Sequence, residues 1–321
     1  MTLMRFVTPL RRSVMRMVYT KRLNPKWGRV LAGLDVWPLN TAGVDHNGNL
    51  TLPGGITILE PTQAGLDMIT AHRAASDLAV RGGAKFDVRH ERIAIQIDGL
   101  KGLARNVADI QVFHEIFVER FYTFEFPGPY FVMDIGANLG LASLFFAKEY
   151  DADVIAYELV GSSAKLAQAN LDLNPALASK VRLEAIGLAD KDQELEIEVD
   201  AAIRSSNSLF ETNLTASKTT EKVRVRDAGP AVQNALKSAN GRTFVLKIDA
   251  EGAEYEIFER LRDLDLLKRV DVLFLEWHQR KGKDPQFFRD LLKEAGFISA
   301  ERMHPEAPVG LINAFRASRN S

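Results

Sequence analysis

The pattern of apolar and polar positions changes near residue 109. From there onward, short apolar runs alternate with segments whose apolar residues recur every three or four positions. This alternation predicts strands interleaved with helices, and therefore a mostly parallel sheet. The earlier part of the chain has a mixed pattern. We therefore predict an N-terminal α+β accessory region over residues 1–108 and an α/β domain over residues 109–321.

The α/β region contains seven strand-like apolar runs. They cover residues 130–135, 154–157, 181–186, 244–248, 272–275, 297–302 and 311–317. Helical patterns cover residues 112–121, 139–148, 162–173, 231–237, 253–261 and 285–295. We expect residues 193–227 to form an extra hairpin and the last two strands to pair antiparallel. The order of elements predicts an open, doubly wound seven-stranded sheet of the Rossmann-like kind.

The sequence of the accessory region predicts small strands and helices and contains no recognisable chemical motif. Its predicted elements are strands at residues 49–52, 56–59, 85–89 and 92–98 and a helix at residues 62–80. The first 34 residues contain eight Lys or Arg and no Asp or Glu, and residues 1–22 have an amphipathic helical pattern. Such a stretch can bind an anionic membrane surface, or it can be an N-terminal helix that packs on its own domain or frays.

Composition excludes several classes of protein. The 321 residues carry 41 Lys or Arg against 42 Asp or Glu, so net charge gives no argument for a nucleic-acid partner. The chain has no cysteine, which excludes disulfides, thiolate zinc sites and cysteine nucleophiles. No apolar run is long enough to span a membrane, and Arg11, Arg12 and Arg16 interrupt any secretory signal. We expect a cytoplasmic protein, at the membrane surface if residues 1–22 bind there.

The clearest candidate site is the segment that follows the strand at residues 130–135. It reads Asp134-Ile-Gly136-Ala137-Asn138-Leu-Gly140, an apolar strand that enters a turn rich in small residues. Glycines there let a ligand approach the backbone. The spacing does not match the G-x-G-x-x-G of nicotinamide-binding proteins and suits a nucleoside without a pyrophosphate. The alternative is a strand-to-helix turn that merely needs small residues.

An acidic residue follows the next strand at the expected distance. Glu158 comes eighteen residues after Gly140, at the end of the second predicted strand. A carboxylate there can accept hydrogen bonds from both hydroxyls of a ribose, although Glu is also common at exposed strand ends. Together the two features favour a nucleoside site.

A third cluster follows the fourth predicted strand. Lys247-Ile-Asp249-Ala-Glu251-Gly-Ala-Glu254 places four charges within eight residues. Buried charges are costly unless paired, so we expect Lys247 to bridge a neighbouring carboxylate. Ligands of doubly wound sheets bind where the strand order reverses, which should bring Asp134 and Asp249 together. The alternative is a structural network of salt bridges.

The fifth predicted strand adds further polar residues to the same edge. It runs into Glu276-Trp277-His278, and His278 can be a catalytic base or only a surface or packing residue. The acids could bind a hard cation, but no histidine spacing indicates zinc, and we predict no metal site. Hydrolase G-x-S-x-G and phosphate-binding G-x-x-x-x-G-K-[ST] motifs are absent from the sequence.

These motifs together resemble the FkbM family of S-adenosylmethionine-dependent methyltransferases. The resemblance rests on the Asp134–Gly140 turn, Glu158, the Lys247–Glu254 segment and Leu275-Glu276-Trp277-His278, and it extends over about residues 109–300. It implies a class I methyltransferase fold with strand order 3-2-1-4-5-7-6. It also implies methyl transfer from S-adenosylmethionine, most often to a hydroxyl of a sugar or natural product.

The resemblance also assigns residues to roles. The cofactor-binding residues would be Asp134, Gly136, Ala137, Asn138, Gly140, Glu158, Ile186 and Gly187. The catalytic candidates follow instead from their expected position at the cofactor-facing edge, and they are Asp249, His278, Glu251 and Glu276. Asp249 is the first choice for placing or deprotonating the acceptor, because the fourth strand should end beside the transferable methyl group. Leu159 and Val160 stand where the family often has a proline-containing turn.

We therefore expect a methyltransferase whose acceptor is a hydroxylated small molecule or glycan, and no nucleic-acid partner. One alternative is a nicotinamide-dependent oxidoreductase, which the missing G-x-G-x-x-G disfavours. The other is a catalytically silent nucleoside-binding module that serves assembly through its first 100 residues.

Overall fold

The computed structural model describes Trp27 and residues 43–89, 92–200, 218–303 and 308–316. The chain divides into two compact units, residues 1–120 and 121–321. This division falls later than the boundary after residue 108 that the sequence suggested. The reason is that the helix at Val107–Phe117 packs on the preceding helices of the first unit. Residues 1–22, with their basic pattern, lie outside the described residues.

In the described residues of the first unit there are two small antiparallel sheets and three helices. Its strands are β1 (Gly43–Val44), β2 (Leu50–Leu52), β3 (Ile56–Ile58), β4 (Lys85–Arg89), β5 (Arg92–Ile97) and β6 (Leu100–Ala104). Its helices are α1 (Gln63–Thr70), α2 (His72–Val80) and α3 (Val107–Phe117). The sheets have the orders β1-β2-β3 and β4-β5-β6.

Three details of this unit differ from the sequence prediction. The helix predicted over residues 62–80 is two helices, interrupted at Ala71. Helix α3 begins and ends about four residues before the predicted 112–121, because the side chain of Asn106 accepts a hydrogen bond from the Asp109 N–H and caps the helix there. Strand β6 was not predicted; it follows a two-residue hairpin turn at Asp98-Gly99, where both residues have positive φ.

The second unit is built on a seven-stranded sheet. Its strands are β7 (Tyr130–Ile135), β8 (Asp153–Tyr157), β9 (Val181–Glu184), β13 (Thr243–Ile248), β14 (Val272–His278), β15 (Phe297–Met303) and β16 (Val309–Arg316). Its helices are α4 (Leu141–Glu149), α5 (Gly161–Asp172), α6 (Pro175–Ala178), α7 (Ala228–Ala239), α8 (Glu254–Asp263) and α9 (Gln286–Glu294). A short 3₁₀ helix, Leu267–Arg269, precedes β14.

The strand order confirms the predicted doubly wound fold. The order is β15-β16-β14-β13-β7-β8-β9, with β15 and β16 antiparallel to their neighbours and the other pairs parallel. Counted along the chain, it is the predicted 3-2-1-4-5-7-6. The order reverses between β7 and β13, whose central residues are almost fully buried and apolar. That reversal places the carboxyl ends of β7, β8 and β13 around one crevice.

The ends of two strands differ from the prediction. Strand β14 extends to His278 rather than ending at residue 275, because the antiparallel partner β16 pairs with it as far as His278 and Val309. Strand β9 ends at Glu184, two residues earlier than expected. Ile186 packs against the hydrophobic core beyond that end.

The predicted extra hairpin is present and joins a third strand. Strands β11 (Gln193–Asp200) and β12 (Lys218–Asp227) pair antiparallel, and β10 (Gly187–Ala189) pairs parallel with β12. Among the described residues, no helix is long and apolar enough to cross a membrane.

Candidate active site

The turn after β7 requires glycine at its first position. Gly136 has a φ of +82°, and a Cβ atom built there would lie 1.7 Å from the carbonyl oxygen of Asp249. The N–H groups of Gly136 and Ala137 both donate to the carbonyl of Tyr157, at 2.9 Å each. The backbone of the turn is therefore held between the end of β8, through hydrogen bonds, and the end of β13, through close packing.

Asp134 and Lys247 form a buried ion pair beneath this turn. Neighbouring strands place the two residues side by side, and their side chains are 0% and 4% exposed. Lys247 Nζ lies 3.0 Å from Asp134 Oδ1 and 3.7 Å from Asp249 Oδ2, and it donates to the carbonyl of Gly136 at 2.6 Å. Burial disfavours the charge of Lys247, but Asp134, Tyr122 and Asp249 together outweigh it and hold the lysine pKa above its ordinary value. Lys247 thus bridges carboxylates, as the sequence predicts.

The other oxygen of Asp134 is also engaged. The hydroxyl of Ser143, on α4, donates to Asp134 Oδ2 at 2.6 Å. Because Asp134 is fully buried and bound on both sides by the protein, it supports the turn from below rather than lining the cavity above it.

Glu158 is a buried carboxylate that faces the crevice. Its two oxygens accept hydrogen bonds from the N–H groups of Asn138, at 2.7 Å, and Val160, at 2.8 Å. Burial raises its pKa to about 7, although these two bonds favour the charged form. Each carboxylate oxygen can accept a further bond, so Glu158 has free capacity for two hydroxyl donors.

The hairpin of β11 and β12 holds the turn that follows Glu158. Val160 is buried in a small apolar cluster with Ile197, Val199 and Val223 of the hairpin. The N–H of Gly161 donates to Glu221 Oε1 at 2.8 Å, and a Cβ on Gly161 would come within 2.4 Å of that oxygen. The Leu159-Val160 turn, where the sequence departs from the family pattern, is therefore supported by packing and not by a proline.

Glu254 organises the loop between β13 and α8. It is fully buried, and its carboxylate accepts hydrogen bonds from the N–H groups of Ala250 and Gly252 at 2.8–3.0 Å. Those two amides flank Glu251, whose φ is +50°. The sequence motif contained Glu254, but no role was predicted for it. A carboxylate two residues after a glycine gives only a weak signal that the side chain folds back.

His278 lies between two carboxylates. Its Nδ1 lies 3.0 Å from Glu254 Oε1, and its Nε2 lies 3.3 Å from Glu251 Oε2. Burial opposes a positive charge here, but the hydrogen bond to Glu254 and the charges of Glu251 and Glu254 raise the pKa of His278 to about 10. With a pKa this high the imidazole carries its proton at neutral pH, which argues against a catalytic base, one of the two roles that the sequence left open for His278.

One cavity opens over the point where the strand order reverses. Its lining consists of Ile135, Gly136, Tyr157, Glu158, Leu159, Val160, Gly187, Leu188, Asp249, Ala250, Glu251 and Ala253. Gly136, Glu158 and Gly187 of the predicted cofactor residues are in this lining, as are Asp249 and Glu251 of the predicted catalytic ones. Ile186 is not, because it packs into the core. Asp134, Ala137, Asn138 and Gly140 form the turn and its support.

The remaining catalytic candidates lie beside the cavity. Asp249, Glu276 and His278 each bring one oxygen or nitrogen atom within 4.8 Å of the others. This spacing could hold a cation, but both nitrogens of His278 are already close to carboxylates. We assign no metal to the cluster, and the expectation of no metal site stays a prediction.

The fold and the cavity define a class I methyltransferase architecture. Residues 134–299 match the family described as Methyltransferase FkbM domain. Since the match covers half of the chain, this protein belongs to the FkbM methyltransferase family.

The chain is similar to two proteins named as methyltransferases and to a number of solved structures. "Methyltransferase 1" of Beauveria bassiana is 24% identical over 63% of this chain and 87% of its own length. "Methyltransferase sdnD" of Sordaria araneosa is 26% identical over 63% of this chain and 88% of its own. The crystal structure of methyltransferase FkbM from Methylobacillus flagellatus superposes with a TM-score of 0.44 and 14% identity. That match covers 63% of this chain and 47% of that one.

Proposed function

We propose that this protein transfers the methyl group of S-adenosylmethionine to a hydroxyl oxygen of a small molecule or glycan. The observation that carries the proposal is the cavity itself, in a chain that belongs to a methyltransferase family. A ribose-binding type of carboxylate, Glu158, and a tight glycine turn share one lining with Asp249 and Glu251. The groups that we assign to cofactor binding and to acceptor activation therefore share one cavity.

The residues of the cavity fit the cofactor. The carboxylate of Glu158 can accept two hydroxyl hydrogen bonds, and Gly136, packed against the carbonyl of Asp249, lines the same cavity. Asn138 Oδ1 is a buried acceptor without a hydrogen-bond partner among the described residues, so a ligand donor would satisfy it. Leu159, Val160 and Leu188 offer an apolar wall suited to a purine. When bound, S-adenosylmethionine supplies a methyl group activated by a positively charged sulfur.

Asp249 is the residue best placed to position or deprotonate an acceptor hydroxyl. It lies at the end of β13, in the cavity and 25% exposed, with Lys247 at 3.7 Å. Burial raises its pKa, although Lys247 and His278 oppose that change. A carboxylate of raised pKa is a better base for a weakly acidic hydroxyl, and general-base help typically contributes about 10²–10⁴-fold to a rate.

Glu276, Glu251 and His278 surround Asp249 in different roles. Because His278 carries a proton at neutral pH, it acts here as a positioning residue that holds Glu251 and Glu254, and not as the base. Glu276 lies within reach of an acceptor bound at Asp249. We propose that it orients that acceptor.

Glu158→Ala tests the cofactor half of the proposal. We expect the variant to bind S-adenosylmethionine about tenfold or more weakly, because each hydrogen bond to a charged acceptor contributes about 1.5–3 kcal/mol. Wild-type affinity should also rise from pH 6 to pH 8, since the carboxyl, with a pKa of about 7, gains its charge in that range. Isothermal titration calorimetry on both proteins measures the two effects. Equal affinities would exclude Glu158 from the cofactor site.

Asp249→Asn tests the acceptor half. We expect turnover to fall by about 10²-fold or more with affinity for S-adenosylmethionine within a few fold of wild type, because the amide cannot take a proton. Conversion of the cofactor to its thioether product, measured over a panel of hydroxylated acceptors, gives the rate. Asp263→Asn, an exposed change on α8, is the matched control. Normal turnover in Asp249→Asn would exclude it as the base, and lost cofactor binding would place it in the cofactor site.

A further inference from the structure

Glu251 is held in a conformation that a non-glycine residue rarely adopts. Its φ of +50° lies in the left-handed region, which costs roughly 1–2 kcal/mol for a residue with a side chain. The carboxylate of Glu254 binds the amides of Ala250 and Gly252 on both sides of it, and so holds this strained turn in place. Strain that the surroundings maintain is a sign of function.

The turn places Glu251 in the wall of the cavity that we assign to the cofactor. Glu251 is part of the lining, together with Glu158 and Asp249. This lining contains three carboxylates and, among the described residues, no cationic side chain. The cation beside Glu251 is His278, which is shared with Glu254.

Lys247 lies 3.7 Å from Asp249 and His278 lies 3.3 Å from Glu251, but His278 is shared with Glu254, so the carboxylates around the cavity outnumber the cations beside them. The effect on Glu251 is visible, because burial, together with the charges of Asp249, Glu254 and Glu158, raises its pKa to about 8 despite the opposing charge of His278. A ligand that brings a positive charge into this space would remove the imbalance.

S-adenosylmethionine carries a positive charge on its sulfur and loses that charge during methyl transfer. Transfer to a hydroxyl breaks the methyl carbon–sulfur bond and forms a carbon–oxygen bond. The hydroxyl proton leaves to a base, and the sulfur becomes an uncharged thioether. We propose that Glu251 makes the site distinguish the sulfonium cofactor from the thioether product, so that the product is released in preference to the cofactor. This inference rests on the proposed function.

Binding measurements on Glu251→Gln test it without any acceptor. We expect wild type to bind S-adenosylmethionine more tightly than S-adenosylhomocysteine at pH 8.5, and the variant to reduce that affinity ratio by about tenfold. A cofactor analogue that carries a protonated amine in place of the methylated sulfur should also bind more weakly to Glu251→Gln than to wild type, by about the same factor as S-adenosylmethionine. Titration calorimetry gives all three constants. Glu259→Gln removes the same charge from α8, outside the cavity lining, and should leave the ratio unchanged.

The outcomes separate this inference from the proposed function. A ratio that is the same in Glu251→Gln and wild type overturns the inference, and so does an equal loss of affinity for both ligands. Failure of wild type to bind either ligand overturns the proposed function itself. Thermal unfolding of Glu251→Gln, expected to be close to that of wild type, verifies that the variant is folded.

Discussion

Gly136→Ala should abolish cofactor binding and lower the free energy of unfolding by roughly 4 kcal/mol or more. Losses of this size are exceptional for a single substitution and indicate a severe steric or electrostatic defect. A Cβ atom at this position would lie 1.7 Å from the carbonyl oxygen of Asp249, which is backbone and cannot rotate away. The strands that carry the two residues would have to separate. That movement would also displace the Gly136 carbonyl from Lys247.

Chemical denaturation and titration calorimetry measure the two effects. Gly241→Ala is a matched control, because Gly241 has a φ of +83°, against +82° for Gly136, and open space around its Cβ position. We expect it to cost only the backbone strain of about 1–2 kcal/mol. Equally small effects of the two substitutions would contradict the close contact between Gly136 and the carbonyl of Asp249.

Lys247→Met should destabilise the protein by about 3–5 kcal/mol, because it leaves the carboxylate of Asp134 buried without its partner. The pair is fully enclosed, with Nζ 3.0 Å from Oδ1, and the Ser143 hydroxyl does not replace a cation. The variant should also lose affinity for the cofactor, since the same ammonium group supports the Gly136 turn.

A double-mutant cycle separates the ion pair from the loss of packing. Adding Asp134→Asn to Lys247→Met should recover part of the lost stability, because the buried charge is then removed. Lys268→Met breaks an exposed pair with Asp265 and should cost at most about 1 kcal/mol. If Lys247→Met were as mild as this control, the pair would not stabilise the site.

The central sheet could be predicted because its strands are nearly continuous apolar runs. Strand β7, for example, has apolar residues at almost every position, as expected for a strand covered on both faces. The order of the strands followed from the alternation of strands and helices. Lys247 could be placed because a lysine within such a run must find a carboxylate partner.

The edges of the elements were harder to predict, since they depend on single residues. Helix α3 begins where Asn106 caps it, and β6 follows the Asp98-Gly99 turn. Both signals are present in the sequence, but they are short and compete with longer hydrophobic patterns. The extent of β14 depends on its pairing with β16, which the local sequence does not show.

The network around His278 could not be predicted from spacing. Glu254 accepts hydrogen bonds from the amides of its own loop and contacts His278, in a turn where Glu251 adopts a positive φ. The resulting pair of carboxylates changes His278 from a candidate base to a cation. A pKa that depends on tertiary contacts requires the structure.

Titration of the wild-type protein with S-adenosylmethionine, and separately with NADH, tests whether this methyltransferase-family chain binds the sulfonium cofactor. We expect that one molecule of S-adenosylmethionine binds per chain, that S-adenosylhomocysteine competes with it, and that NADH gives no binding heat. Binding of NADH in preference to S-adenosylmethionine would contradict the account and favour an oxidoreductase. Absence of S-adenosylmethionine binding would contradict it as well.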